Sequence, residues 1–108
     1  MLRTNPILHN PFKEIRGYVD ERHKLKLEDE LAWALIHLMQ AGRLGCSPES
    51  LMAPGLSQLI CELRKVGIGI KTVRAKDLKG RGFRLRYVLH SDILITGIDL
   101  TEAFNYAD

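Results

Sequence analysis

The sequence is poor in the residues that staple a chain or bind metal. There are only two cysteines, Cys46 and Cys61, with neither a C-x-x-C pair nor a Cys/His spacing that would frame zinc. A disulfide scaffold is disfavoured, and free thiols without metal or cofactor are expected. The four histidines, His9, His23, His37 and His90, lie far apart and have no nearby ligand set. Long apolar runs are missing too. The longest uncharged stretch, Leu31 to Ala41, is interrupted by His37 and Gln40 and is too short and polar to cross a bilayer. Asn5, Pro6, His9 and Asn10 break any hydrophobic run at the start, so no secretory signal is expected and the cytoplasm is the expected compartment. No Ser/His/Asp or Cys/His grouping, phosphate loop or carboxylate pair in a motif stands out, so no enzyme is expected.

What remains is an average globular composition: 108 residues, 45% hydrophobic and 27% charged, enough for one compact domain with its own core. The net charge of +3 is unevenly spread. Between Arg64 and Arg86, nine basic residues face only Asp77, so this window carries +8 and the remainder −5. A basic segment on an otherwise acidic chain suits a polyanion, although most charge runs are merely solvated surface.

The hydrophobic period changes along the chain. After an irregular lead-in with Asn5-Pro6 and Asn10-Pro11, Glu14 to Val19 reads as a short strand, turned by Asp20–His23 into Lys24–Leu27. Leu31, Leu35, Leu38 and Met39 then fall on one helical stripe, with acids in the first turn and Gly42 as C-terminal cap. Trp33 and Ile36 lie off that stripe and call for a second apolar contact, either the N-terminal arm or a dimer partner. Arg43–Cys46 reads as an extended link. Ser47-Pro48-Glu49 reads as the cap and first turn of a very short helix, ended by Pro54-Gly55. Leu56, Leu59, Ile60, Leu63 and Val66 mark the apolar face of a helix over 56–66, closed by Gly67.

From Ile68 the period becomes two. Ile68, Ile70 and Thr72 mark one strand, and a polar, glycine-bearing loop follows at 76–82. Phe83, Leu85, Tyr87 and Leu89 mark a second strand that they pin on the core. After Ser91 the pattern weakens. Ile93–Ile95 is apolar and Thr101–Phe104 can begin a helical turn, and the tail is left open between packing on the core, pairing with a partner and fraying.

Ile60-Cys61-Glu62-Leu63-Arg64-Lys65-Val66-Gly67-Ile68-Gly69-Ile70-Lys71-Thr72 fits I-x-x-L-R-x-x-G-x-x-I-x-T. This run resembles the recognition helix and first wing strand of winged helix-turn-helix domains of the biotin-repressor type, and of small phage helix-turn-helix proteins. Gly80-Arg81-Gly82-Phe83-Arg84-Leu85 resembles their wing closure. The resemblance implies an α+β fold, a three-helix core with a C-terminal two-stranded antiparallel wing. It divides the chain into an N-terminal arm (1–28), the domain itself (29–90) and a tail (91–108).

It also implies a DNA-binding transcriptional regulator, with helix 56–66 in the major groove and the basic wing 71–86 on the backbone. Ser57, Gln58, Cys61 and Lys65 are the candidate base readers. Gln58 suits an adenine edge and Lys65 a guanine or phosphate. Arg64, Lys71, Arg74, Lys76, Lys79, Arg81, Arg84 and Arg86 are candidate phosphate contacts, which set affinity and register. Strand neighbours alternate sides, so not all of them can face one duplex. Glu62 on the outer helix face departs from the pattern, since a carboxylate repels phosphate. A lone domain of this size reads few base pairs, so double-stranded DNA and a homodimer are the expected partners. The alternative is a winged helix for protein contact, an anti-activator or assembly factor, using Trp33, Ile36 and the apolar tail.

Overall fold

A computed structural model describes residues 10–76 and 83–101, the side chains of 75, 76 and 83 excepted. The expectations for the wing loop at 77–82 and for a helical turn continuing beyond Thr101 lie outside the described residues.

The chain opens with two antiparallel strands, β1 (Phe12–Val19) and β2 (His23–Glu28). Alternation decides their faces: Ile15, Val19, Leu25 and Leu27 are buried, while Lys24 and Lys26 point to solvent. Asp20 and Glu21 turn the chain with φ of 52° and 66°. Asp20 also anchors a distant segment, its N–H donating to the Asp92 carbonyl at 2.7 Å and its Oδ1 accepting from the Asp92 N–H at 2.9 Å.

Helix α1 (Asp29–Ala41) buries Ala32, Trp33, Ala34, Leu35 and Leu38, more than one stripe. The cause is its position: it packs on β1 and β2 on one side and on the second helix and the wing on the other. Trp33 therefore belongs to the core, its ring centroid 4.4 Å from that of His37, and Ile36 is half-buried beside it. That position takes Trp33, one of the residues named for a protein-contact surface, out of the surface.

The segment after α1 departs from expectation. Arg43–Cys46 is not a simple extended link, since Gly42–Leu44 forms a 3-10 turn. Cys46 then makes a one-residue antiparallel bridge with Tyr87, its N–H donating to the Tyr87 carbonyl at 2.9 Å and its carbonyl accepting from the Tyr87 N–H at 2.7 Å. Gly45 permits the approach. It has φ +73°, and a Cβ there would lie 2.7 Å from the Tyr87 carbonyl oxygen.

Among the described residues the three-helix core is corrected to two α-helices. The cap at Ser47 does form, with Ser47 Oγ accepting from the Ser50 N–H at 3.0 Å and Ser50 Oγ accepting from the Ser47 N–H at 2.9 Å. The residues after it make only turns, because Met52 takes φ 51° and Pro54 follows too soon for a helix to propagate.

Helix α2 (Leu56–Lys65) buries Leu56, Ile60 and Leu63 completely. Val66, expected on that face, is 52% exposed, because it is the C-cap and has left the helical path. Gly67 at φ 97° ends the helix, the Ile68 N–H reaching back to the Leu63 carbonyl and the Gly67 N–H to that of Arg64. Two wing strands follow, β3 (Ile70–Lys76) and β4 (Phe83–Leu89). Leu85 was expected to pin β4 but is 45% exposed, because the hairpin outruns the core beyond Tyr87.

Among the described residues there are five strands, one more than the N-terminal pair and the two-stranded wing read from the sequence. Ile93–Leu100 forms β5, which pairs antiparallel with β1 and gives a sheet ordered β2-β1-β5. The apolar tail therefore packs on the chain's own first strand. Among the described residues no helix is long and apolar enough to cross a membrane.

Candidate nucleic-acid interface

With Leu56, Ile60 and Leu63 turned inward, helical geometry sends Ser57, Gln58, Cys61 and Lys65 outward, and all four are exposed. Two of them engage Glu62. Gln58 Nε2 donates to Glu62 Oε2 at 3.3 Å, and Lys65 Nζ lies 3.7 Å from the same oxygen. The unexpected acid thus sits between two candidate readers and balances the lysine. Ser57 has another partner, its Oγ lying 2.9 Å from the buried Tyr87 hydroxyl of β4.

Arg64 is exposed but already bonded. Its Nε and Nη2 donate to the Ile70 carbonyl at 3.2 and 2.6 Å, and Nη2 donates to Thr72 Oγ1 at 2.9 Å. It ties α2 to β3, a role that sequence spacing did not reveal. Thr72 and the Ile70 carbonyl enter the site for the same reason, and only the β3 register could have pointed to them.

The wing register sorts the remaining cations by face. Arg74 lies opposite Leu85 and shares the face of Tyr87, the side turned to α2. Lys71, opposite Val88, and Arg86, opposite Val73, share the reverse face, as does Arg84 opposite Ala75. Lys71, Arg74 and Arg84 are exposed. Arg86 is half-buried and its Nη1 donates to the Leu44 carbonyl at 3.3 Å, fixing the turn that precedes the Cys46 bridge. Burial pushes the Cys46 thiol above its usual range, and the Arg86 charge partly offsets this. Arg84 also borders a cleft of about 240 Å³ with Ser57, Tyr87 and Glu49, where the start of α2 meets β4. Lys76 lies on β3 with its side chain outside the described residues, as are Lys79 and Arg81 altogether.

The structure therefore brings together a helix with an exposed polar face, a two-stranded hairpin lined with cations, and a tie between them at Arg64 and Tyr87. A family model described as a winged helix domain matches residues 24–99, from β2 to β5. The chain belongs to the winged helix domain family. No curated protein and no solved structure matches it. Winged helix domains are typically non-enzymatic DNA-binding domains. In this winged helix the middle helix is reduced to the Ser47–Met52 turn, and Cys46 supplies a one-residue strand at the β4 edge.

Proposed function

We propose that this winged helix is a transcriptional regulator that binds double-stranded DNA sequence-specifically as a homodimer, with α2 in the major groove and the basic wing over the backbone. The observation that carries this reading is the pairing of surfaces. The polar face of α2 adjoins a hairpin that exposes Lys71, Arg74 and Arg84. Gln58 offers the amide for an adenine edge, Lys65 a cation for guanine or phosphate, and Cys61 and Ser57 the smaller contacts beside them. Lys71, Arg74, Arg84 and Arg86 supply phosphate contacts from both faces of the hairpin, as fits a wing that enters a groove edge-on, and Lys76, Lys79 and Arg81 of the same basic segment add to them. Arg64 contributes mainly by holding α2 against β3, since two of its nitrogens are bonded there. A cytoplasmic location and the absence of enzymatic activity belong to the same reading.

A salt-dependent binding titration against random and selected duplexes tests it. With about four to six phosphates engaged per subunit, log K falls with log salt at a slope of roughly −4 to −5. A flat titration between low and physiological salt overturns the DNA reading.

A further inference from the structure

The two edges of the β2-β1-β5 sheet are chemically unlike. On β2, Lys24 and Lys26 alternate with the buried Leu25 and Leu27, and exposed lysines on an edge strand discourage another strand from docking. On β5, eight residues run without lysine, arginine or proline. Its one charge, Asp99, is held by Arg16 Nη1 at 2.9 Å. Large apolar side chains remain in water along it, Leu94 at 59% and Ile98 at 47% exposure. Among the described residues no strand lies beyond it.

We propose that the β5 edge is the homodimer surface, with a second copy of this chain adding its own β5 antiparallel to make one six-stranded sheet. A two-fold axis normal to the sheet relates the copies, so the same edge serves both and the pairing closes at two. Charge selects this face for self-association. The +8 sequence window from Arg64 to Arg86 takes in the end of α2, β3 and the first part of β4, so copies meeting there repel, whereas the rest of the chain carries −5 and the β5 edge is nearly neutral. The α2 face stays free, because α1 separates α2 from the paired strands β1 and β2.

Size sets the strength. A strand of eight residues is about 26 Å long, and strand addition along it covers roughly 400–500 Å² per copy. That is below the usual stable interface of about 800 Å² per partner, so association is concentration-dependent at micromolar levels. The proposal specifies the dimer assumed in the functional reading but does not require DNA for its test.

Sedimentation velocity without DNA, across roughly 1–200 micromolar, reads the mass directly. The expected result is a rise from 12.3 kDa to twice that value. Leu94→Lys and Ile98→Lys each move the midpoint at least about tenfold upward, since an exposed lysine on an edge strand opposes strand addition, as on β2, and brings like charges together across the pair. Val66→Lys, at an equally exposed apolar site on the other layer, leaves the midpoint in place. A monomeric wild type, or lysine variants that dimerise like the wild type, overturns the proposal. So does a Val66→Lys effect as large as theirs. Hydrogen exchange on the wild type provides an independent arm if a variant fails to fold. Concentration-dependent protection confined to β5 supports the proposal, and its absence overturns it. Loss of the salt slope with dimerisation intact would strike the DNA reading alone.

Discussion

The side-chain hydroxyls of Ser57 and Tyr87 lie 2.9 Å apart and join the first turn of α2 to the second wing strand. Tyr87 is the same residue whose backbone pairs with Cys46. One position of β4 therefore sets both the start of α2 and the edge of the wing. The exposed face of Ser57 points toward solvent, but its hydroxyl is committed inward.

Tyr87→Phe keeps the ring and removes that bond. A loss of about 1 kcal/mol in unfolding free energy is expected, as for a single neutral hydrogen bond. Ser57→Ala should lose a similar amount, and the double variant should lose less than the sum. Strict additivity in denaturant unfolding would show that the two hydroxyls do not interact.

Leu63→Ala should cost about 2–5 kcal/mol, because a fully buried leucine is removed where α2 meets the core. Cys61→Ala, two positions earlier on the exposed face, should cost less than about 1 kcal/mol. Equal losses would mean that the phase of α2, on which every reader assignment depends, is wrong.

Glu62→Gln removes the carboxylate that Gln58 and Lys65 share. DNA affinity should rise on the order of threefold to tenfold at low salt, and the gain should shrink as salt screens it. Weaker binding of every duplex tested would mean that Glu62 organises the reading face rather than restraining it. Weaker binding of cytosine-bearing sites alone would make it a reader.

Arg64→Ala should destabilise the fold more than Lys71→Ala, because Arg64 links α2 to β3 whereas Lys71 is exposed on the wing. For nonspecific DNA affinity at matched salt, the order should reverse. Thermal unfolding and a duplex titration on the same two variants decide both halves.

Burial holds the His37 imidazole below its usual range. The folded chain therefore takes up this proton less readily than the unfolded chain, and stability is lost as pH falls below about 6.5. Asp99 acts in a lower window, since Arg16 holds its carboxyl below the usual range and that contribution fades as pH falls under about 3.8. His37→Gln should flatten the fall of Tm between about pH 7 and pH 5. An unchanged slope would assign the acid loss to other groups.

Elements whose burial follows a strong period were legible in the sequence. Leu56, Ile60 and Leu63 phase α2, and Ile70 and Tyr87 phase the inner side of the wing. β5 was not, because Ile93–Ile95 has no polar alternation and its partner β1 lies more than seventy residues earlier. The turn at Ser47–Met52 misled because its cap forms faithfully while the helix it announces has no room. For the site, outward-facing residues follow from spacing alone. Their bonds do not: Arg64 reaches Ile70 and Ser57 reaches Tyr87 only because the hairpin folds back beside α2.

The pairing of β1 with β5 has a further consequence. The Thr101 N–H donates to the Pro11 carbonyl at 2.8 Å, so the entry and exit of the described chain touch. Any polypeptide continuing from either point leaves from the same rim. A host protein could thus receive this winged helix in a surface loop as an inserted cassette, and a circular permutant joined at that rim could open at another exposed turn.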